Sequence, residues 1–208
     1  MRSDAPESPD GGAAPKRPRN AAATREAILR SAVEAFSRHG YDGVGVREIA
    51  KAAGVTAMLV NRYFGSKEQL FAEAVDVAFA PRTVVTDTPG TLSRDVARAL
   101  VDRTAPEADH LSPFLLTLLS APNPRAAEIM REGIERHVQR DLAQLLPGSG
   151  GQERAGLALS LIAGVWLMRK VLRDTVLVEA DEEELARRLQ HVFELLFQTA
   201  EPKGADGG

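Results

Sequence analysis

The chain has 208 residues, 44% of them hydrophobic, which is enough for one sizeable core or for a small domain joined to a larger one. It contains no cysteine, which excludes a disulfide framework, a thiolate metal site and a cysteine nucleophile. The net charge of -3 hides an asymmetry: residues 16–67 hold ten Lys and Arg against four Asp and Glu, a net of +6, whereas residues 68–208 carry a net of -7. A basic head on an acidic body suits phosphate binding at one end, since cations that displace condensed counterions supply most sequence-independent DNA affinity; an uneven solvated surface is the alternative.

Residues 1–20 include Pro6, Pro9, Gly11, Gly12, Pro15 and Pro18 and almost no large apolar side chain, so they are expected to form a disordered arm. Its basic end, Lys16-Arg17-Pro18-Arg19, is suited to a phosphate backbone or a minor groove, with a solubilising tail as the other reading. From Thr24, apolar Ile28, Leu29, Ala32, Val33 and Phe36 recur at helical spacing and the run stops at His39-Gly40, which predicts a first helix. A short second helix, Val46 to Ala53, ends at Gly54. Thr56 is an N-cap for a third, Ala57 to Phe64, and Ser66 with Gln69 opens a fourth that runs to about Phe79.

Beyond Pro81 the pattern predicts helices over Leu92–Thr104, Asp109–Ser120, Pro124–Leu146, Gln152–Asp174 and Glu182–Thr199, and no alternating run reads as a strand. The fold class is therefore all-α. The division expected is an arm over 1–20, a DNA-binding domain over 21–67, a larger C-terminal domain over 68–200 and a disordered tail over 201–208.

The most informative stretch is Gly40 to Leu70. A helix-turn-helix needs a small residue where its two helices pack, a glycine at the turn and a branched residue to plug the corner, and Ala50, Gly54 and Val55 fall at those places. Leu59 and Phe64 suit the core side of the following helix. Thr56, Ala57, Met58, Val60, Asn61, Arg62 and Tyr63 are left for DNA.

The phrase V-R-E-I-A-x-x-A-G-V-T over Val46 to Thr56, with Y-F-x-S-K-E-x-L over Tyr63 to Leu70, resembles the DNA-binding domain of the TetR (tetracycline repressor) family. The resemblance covers residues about 24 to 71. It implies that Arg47 and Thr56 approach phosphates or bases, that the Tyr63 hydroxyl reaches a phosphate, and that Lys67 with the free amides of the fourth helix clamps another. Helix N-termini favour anions, and Thr24 fits a similar contact. A core role for Tyr63 and a solvated cation at Lys67 stand as the alternatives. Gly45 departs from the family's usual serine or threonine cap, Met58 from a frequent glycine and Asn61 from a frequent tyrosine. The last two bear on base preference, since asparagine pairs bidentately with adenine and methionine contacts a thymine methyl.

In the body, the stretch from Pro122 through Met130 and the later Gly156–Leu172 segment look like one type of TetR C-terminal domain. The resemblance implies a homodimer through the last two long helices, whose apolar stripes (Leu157, Leu161, Ile162, Val165, Met168 and Leu172, then Leu185 to Phe197) also serve as core. It further implies a small-molecule effector. Phe114, Leu118, Met130, Ile134, His137, Trp166 and Arg169 combine apolar surface with polar handles and are the candidate lining, with plain core or surface as the other reading.

The function expected is a homodimeric repressor released from palindromic operator DNA by an effector; a transcriptional activator or a non-specific DNA binder of the same fold is the alternative. No cofactor is expected. An enzyme is disfavoured because no nucleophile elbow, zinc motif or phosphate loop occurs and His39, His110, His137 and His191 stand singly. No apolar run reaches the roughly 20 residues of a membrane span, and Asp4, Glu7 and Asp10 stand where a secretory signal needs apolar residues, so a cytoplasmic location is expected.

Overall fold

The computed structural model describes residues 17–79, 89–108 and 113–198, and every regular element among them is helical. The expected arm up to residue 16, the tail from residue 201, and the opening of the Asp109–Ser120 segment lie outside the described residues. Helix α1 spans Arg17–His39, so it starts before Thr24 and takes in residues assigned to the arm. Pro18 falls in its first turn, where a missing amide hydrogen deprives no carbonyl of a partner. Then follow α2 (Val46–Ala52), α3 (Ala57–Phe64) and α4 (Lys67–Phe79). The C-terminal part holds α5 (Leu92–Thr104), α6 (Pro113–Ser120), α7 (Pro124–Ile134), α8 (Arg140–Leu145), α9 (Gly151–Val165), α10 (Thr175–Val178) and α11 (Glu182–Phe197).

Two of the expected long helices carry a π turn. Glu135–Gln139 joins α7 to α8 without a break, and Trp166–Val171 extends α9. The second stops short of Asp174 because Arg173 takes a left-handed conformation, φ 55°. Asp174 instead caps α10, accepting from the Leu177 amide at 3.1 Å. At α7, Asn123 accepts from the Ala126 amide at 3.0 Å and Pro124 occupies the first turn.

The buried residues form two cores. The first unites Ile28, Ala32 and Phe36 of α1, Ile49 and Ala50 of α2, Val60 and Phe64 of α3, and Leu70, Phe71, Ala74 and Val75 of α4 with Leu116 of α6 and Ala126, Ile129 and Met130 of α7. Helix α4 is thus its central wall, packed on α1 on one side and α7 on the other. The second core gathers Val96, Leu100 and Val101 of α5, Leu142 of α8, Ala155 and Ala158 of α9, Trp166, and Leu189, Phe193 and Phe197 of α11. Arg154 of α9 secures the end of that group by donating to the Phe197 carbonyl at 2.8 Å, which closes α11. No helix among the described residues is long and apolar enough to cross a membrane.

Candidate nucleic-acid interface

The α2–α3 corner is built as its residue types require. Ala50 is buried and its carbonyl accepts from the Val55 amide at 2.9 Å, drawing the chain through Gly54, which sits at φ 69°. Thr56 then starts α3, its hydroxyl accepting from the Leu59 amide at 3.3 Å. Gly45 offers α2 no side chain, but the Glu48 carboxylate reaches back to accept from the Gly45 amide at 2.7 Å, so half of a capping box survives the missing hydroxyl.

Helix α3 sorts its residues by face. Val60 and Phe64, one turn apart, are buried in the first core, while Leu59 is only half-buried. This corrects the expectation that Leu59 takes the core and Val60 the DNA side: in an eight-residue helix two adjacent stripes are both open to choice, and the stripe ending in Phe64 meets the core. Met58 is 82% exposed, and Asn61 and Arg62, three and four residues on, share its exposed face. Thr56 and Arg47 are exposed, and Ala57 and Thr24 are half-buried. Tyr63 is half-buried and packs against the first core, its ring centroid 6.5 Å from that of Phe64.

Past the turn at Gly65, Ser66 accepts from the Gln69 amide at 3.1 Å and opens α4 at Lys67. The Lys67 ammonium lies 4.4 Å from the centroid of the Tyr41 ring, which is itself packed edge-on against Phe71 at 5.0 Å. Burial, reinforced by Glu68 and Asp42, pushes the Tyr41 phenol up from its ordinary value. Arg25 of α1 lies over the Phe64 ring and pairs with Glu73, tying the end of α3 to α1 and α4. Neither Tyr41 nor Arg25 was among the expected site residues. An aromatic directly after the glycine that closes α1 was the one visible sign.

The head is bolted to the body around the same place. The Tyr41 amide donates to the buried Ser120 hydroxyl at 3.1 Å, Asn123 donates to Asp42 at 2.9 Å, and Arg125 donates to Glu68 at 3.2 Å. Further along α4, Asp76 accepts from Arg136 and sits 2.8 Å from His137 Nε2.

The expected effector residues fall into separate groups. Phe114 and Trp166 stack in the second core with centroids 6.1 Å apart. Met130 is buried in the first core, and with Ile134 it lines an open groove of about 260 Å³ between α6 and α7. Leu118 is exposed on α6, and His137 is engaged with Asp76. Arg169, 1% exposed, donates to the carbonyls of Val101 and Leu177, to the Thr104 hydroxyl and to Glu182, so its donors are committed within the fold and it acts as a strut. Among the described residues no group of three or more His, Asp or Glu is placed to hold a metal ion.

Comparison with known proteins agrees with this geometry. Residues 28–74 match the family described as bacterial regulatory proteins, tetR family, and residues 91–196 match the tetracyclin repressor-like C-terminal domain. The transcriptional regulatory protein RaaS of Mycobacterium tuberculosis is 57% identical over 53 residues, 25% of this chain and 24% of that protein. The transcriptional regulator BetI of Agrobacterium fabrum is 35% identical over 82 residues, 39% of this chain and 35% of BetI. The chain thus matches only about a quarter to a third of the length of these two relatives. The multidrug binding protein EbrR, solved with ethidium, superposes with a TM-score of 0.64 at 22% identity, covering 85% of this chain and 99% of EbrR. A TetR-family regulator from Streptomyces coelicolor gives a TM-score of 0.52 at 23% identity, covering 90% and 99%. With both halves matched and a helix-turn-helix whose recognition helix bares one face, the chain belongs to the TetR family of DNA-binding transcriptional regulators.

Proposed function

We propose that the protein is a homodimeric repressor that seats α3 of each subunit in successive major grooves of a palindromic operator and leaves it when a small molecule binds the C-terminal body. The observation that carries this reading is the exposed face of α3, where Met58, Asn61 and Arg62 stand together between the Thr56 cap and the start of α4. In this reading Ala57, Met58, Asn61 and Arg62 face base edges, and Thr24, Arg47, Thr56, Tyr63 and Lys67 hold phosphates. Homodimerisation is supported by apolar side chains left in solvent: Leu157 at 52% exposure on α9, Met168 in the π turn that extends it and Leu172 at 61% just past that turn, and Leu195 at 61% with Val192 on α11. For the effector, the C-terminal body carries the stacked aromatic pair Phe114 and Trp166, and EbrR, of the same fold, was solved with ethidium.

Selection of bound duplexes from a random library, followed by affinity for the winner against scrambled DNA at physiological salt, tests the reading. A palindromic winner preferred by about a thousandfold or more is expected. Binding that only weakens with salt and prefers no sequence would replace it with non-specific DNA binding, and a palindrome whose occupancy raises transcription in a reporter would replace repression with activation.

A further inference from the structure

We propose that Tyr41 is a positioning residue for DNA binding: its ring holds the Lys67 ammonium at the phosphate-facing start of α4, and its backbone ties that ammonium to the C-terminal body. The proposal rests on the reading of Lys67 as a phosphate contact.

A free lysine side chain loses rotamer freedom when one phosphate fixes it. Prior confinement removes part of that cost. A ring face confines the cation without neutralising it, because the attraction comes from the ring quadrupole and leaves the ammonium hydrogens on the far side open to an acceptor. At 4.4 Å from the Tyr41 centroid, Lys67 lies well within the reach of this interaction. Arg25 shows the contrasting arrangement: its guanidinium also lies over a ring, that of Phe64, but it is paired with the Glu73 carboxylate. The described residues pair Lys67 with no carboxylate.

Two acids that act on Tyr41 have partners elsewhere. Asp42 and Glu68 both act electrostatically on Tyr41, yet Asp42 accepts from Asn123 at 2.9 Å and Glu68 from Arg125 at 3.2 Å, each partner at the start of α7. The α7 end thus gives both carboxylates a partner other than Lys67. The ring itself has little freedom. Tyr41 is 9% exposed, stacked on Phe36 at 6.1 Å and edge-on to Phe71, and its amide is held by Ser120 at the end of α6.

A double-mutant cycle on the full chain tests the idea, with the tightest duplex from the random-library selection as probe. Lys67→Gln should weaken binding and lower the slope of log K against log salt by roughly 0.9 per subunit. Replacing Tyr41 with pentafluorophenylalanine keeps the ring's shape and removes its attraction for a cation; it should weaken binding by about three- to fivefold per subunit, the range of a partly exposed cation–π contact. In the Lys67→Gln background the same replacement should do nothing, and Tyr41→Phe should bind as the parent does. An equal loss in both backgrounds, or no loss in either while Lys67→Gln weakens binding, overturns the positioning role. Unchanged affinity and salt slope in Lys67→Gln withdraws instead the phosphate-contact reading beneath it.

Discussion

Gly40 and Gly54 share a backbone angle, φ 69°, but carry different burdens. A Cβ on Gly54 would meet nothing within 4 Å, whereas one on Gly40 would stand 2.3 Å from the Leu119 carbonyl oxygen. Gly54→Ala should therefore cost only the left-handed penalty, about 1–2 kcal/mol, while Gly40→Ala adds a backbone clash and should cost about 2–5 kcal/mol, with urea unfolding giving the order. Tyr41 supplies a pH test. Its phenol is raised in the folded state, so the associated stability is complete below about pH 10, where the unfolded phenol is still neutral, and falls as pH climbs towards the folded value. Tyr41→Phe should flatten that part of the alkaline unfolding profile. At this scale the sequence disclosed what depends on neighbours along the chain, the Thr56 cap and the Gly54 turn, but not which of Leu59 and Val60 meets the core. It did not disclose Tyr41, whose meaning comes from Lys67 and Ser120, both distant along the chain.

Helix limits were legible at several of the places where a local hydrogen bond sets them. Ser66 and Asn123 start helices through amides three residues away; the first boundary was placed from the Ser66 and Gln69 pattern, the second from Pro124 without its Asn123 cap. The cap at Gly45 looked weak because the compensating group, Glu48, lies inside the helix it serves. Glu48→Ala should destabilise the protein by about 0.5–2 kcal/mol, measured by thermal melting, since the Gly45 amide then has only water. The π turns were invisible because one wider turn hardly alters an apolar stripe. Helix α10 was missed for a different reason: Asp174 was taken as the end of one helix when the left-handed Arg173 makes it the cap of the next. The π turn at Trp166–Val171 places Arg169 among the end of α5, α10 and the start of α11. Arg169→Met removes the donor shared by those elements and should cost about 1–3 kcal/mol by chemical unfolding.

At the scale of the molecule, periodicity located the apolar faces without saying which of them share a core. Helix α4 was expected to open the C-terminal domain, and its buried face joins α1 to α7 in a single apolar cluster. The ion pair between Arg125 and Glu68 crosses the same junction, and its loss should be felt at the DNA. Arg125→Ala frees the Glu68 carboxylate to compete for Lys67, so operator affinity should drop, and Glu68→Gln added to it should restore binding in a direct titration. A core shared in this way also governs how the protein opens. Because Leu70, Phe71 and Val75 are sealed at once by residues of α1, α6 and α7, none of those helices can loosen without exposing the others. Amide protons of α1, α4 and α7 should then exchange with one common free energy, as a single cooperative unit, and in the dimer proposed above the distance between the two α3 helices would be reset by turning whole subunits.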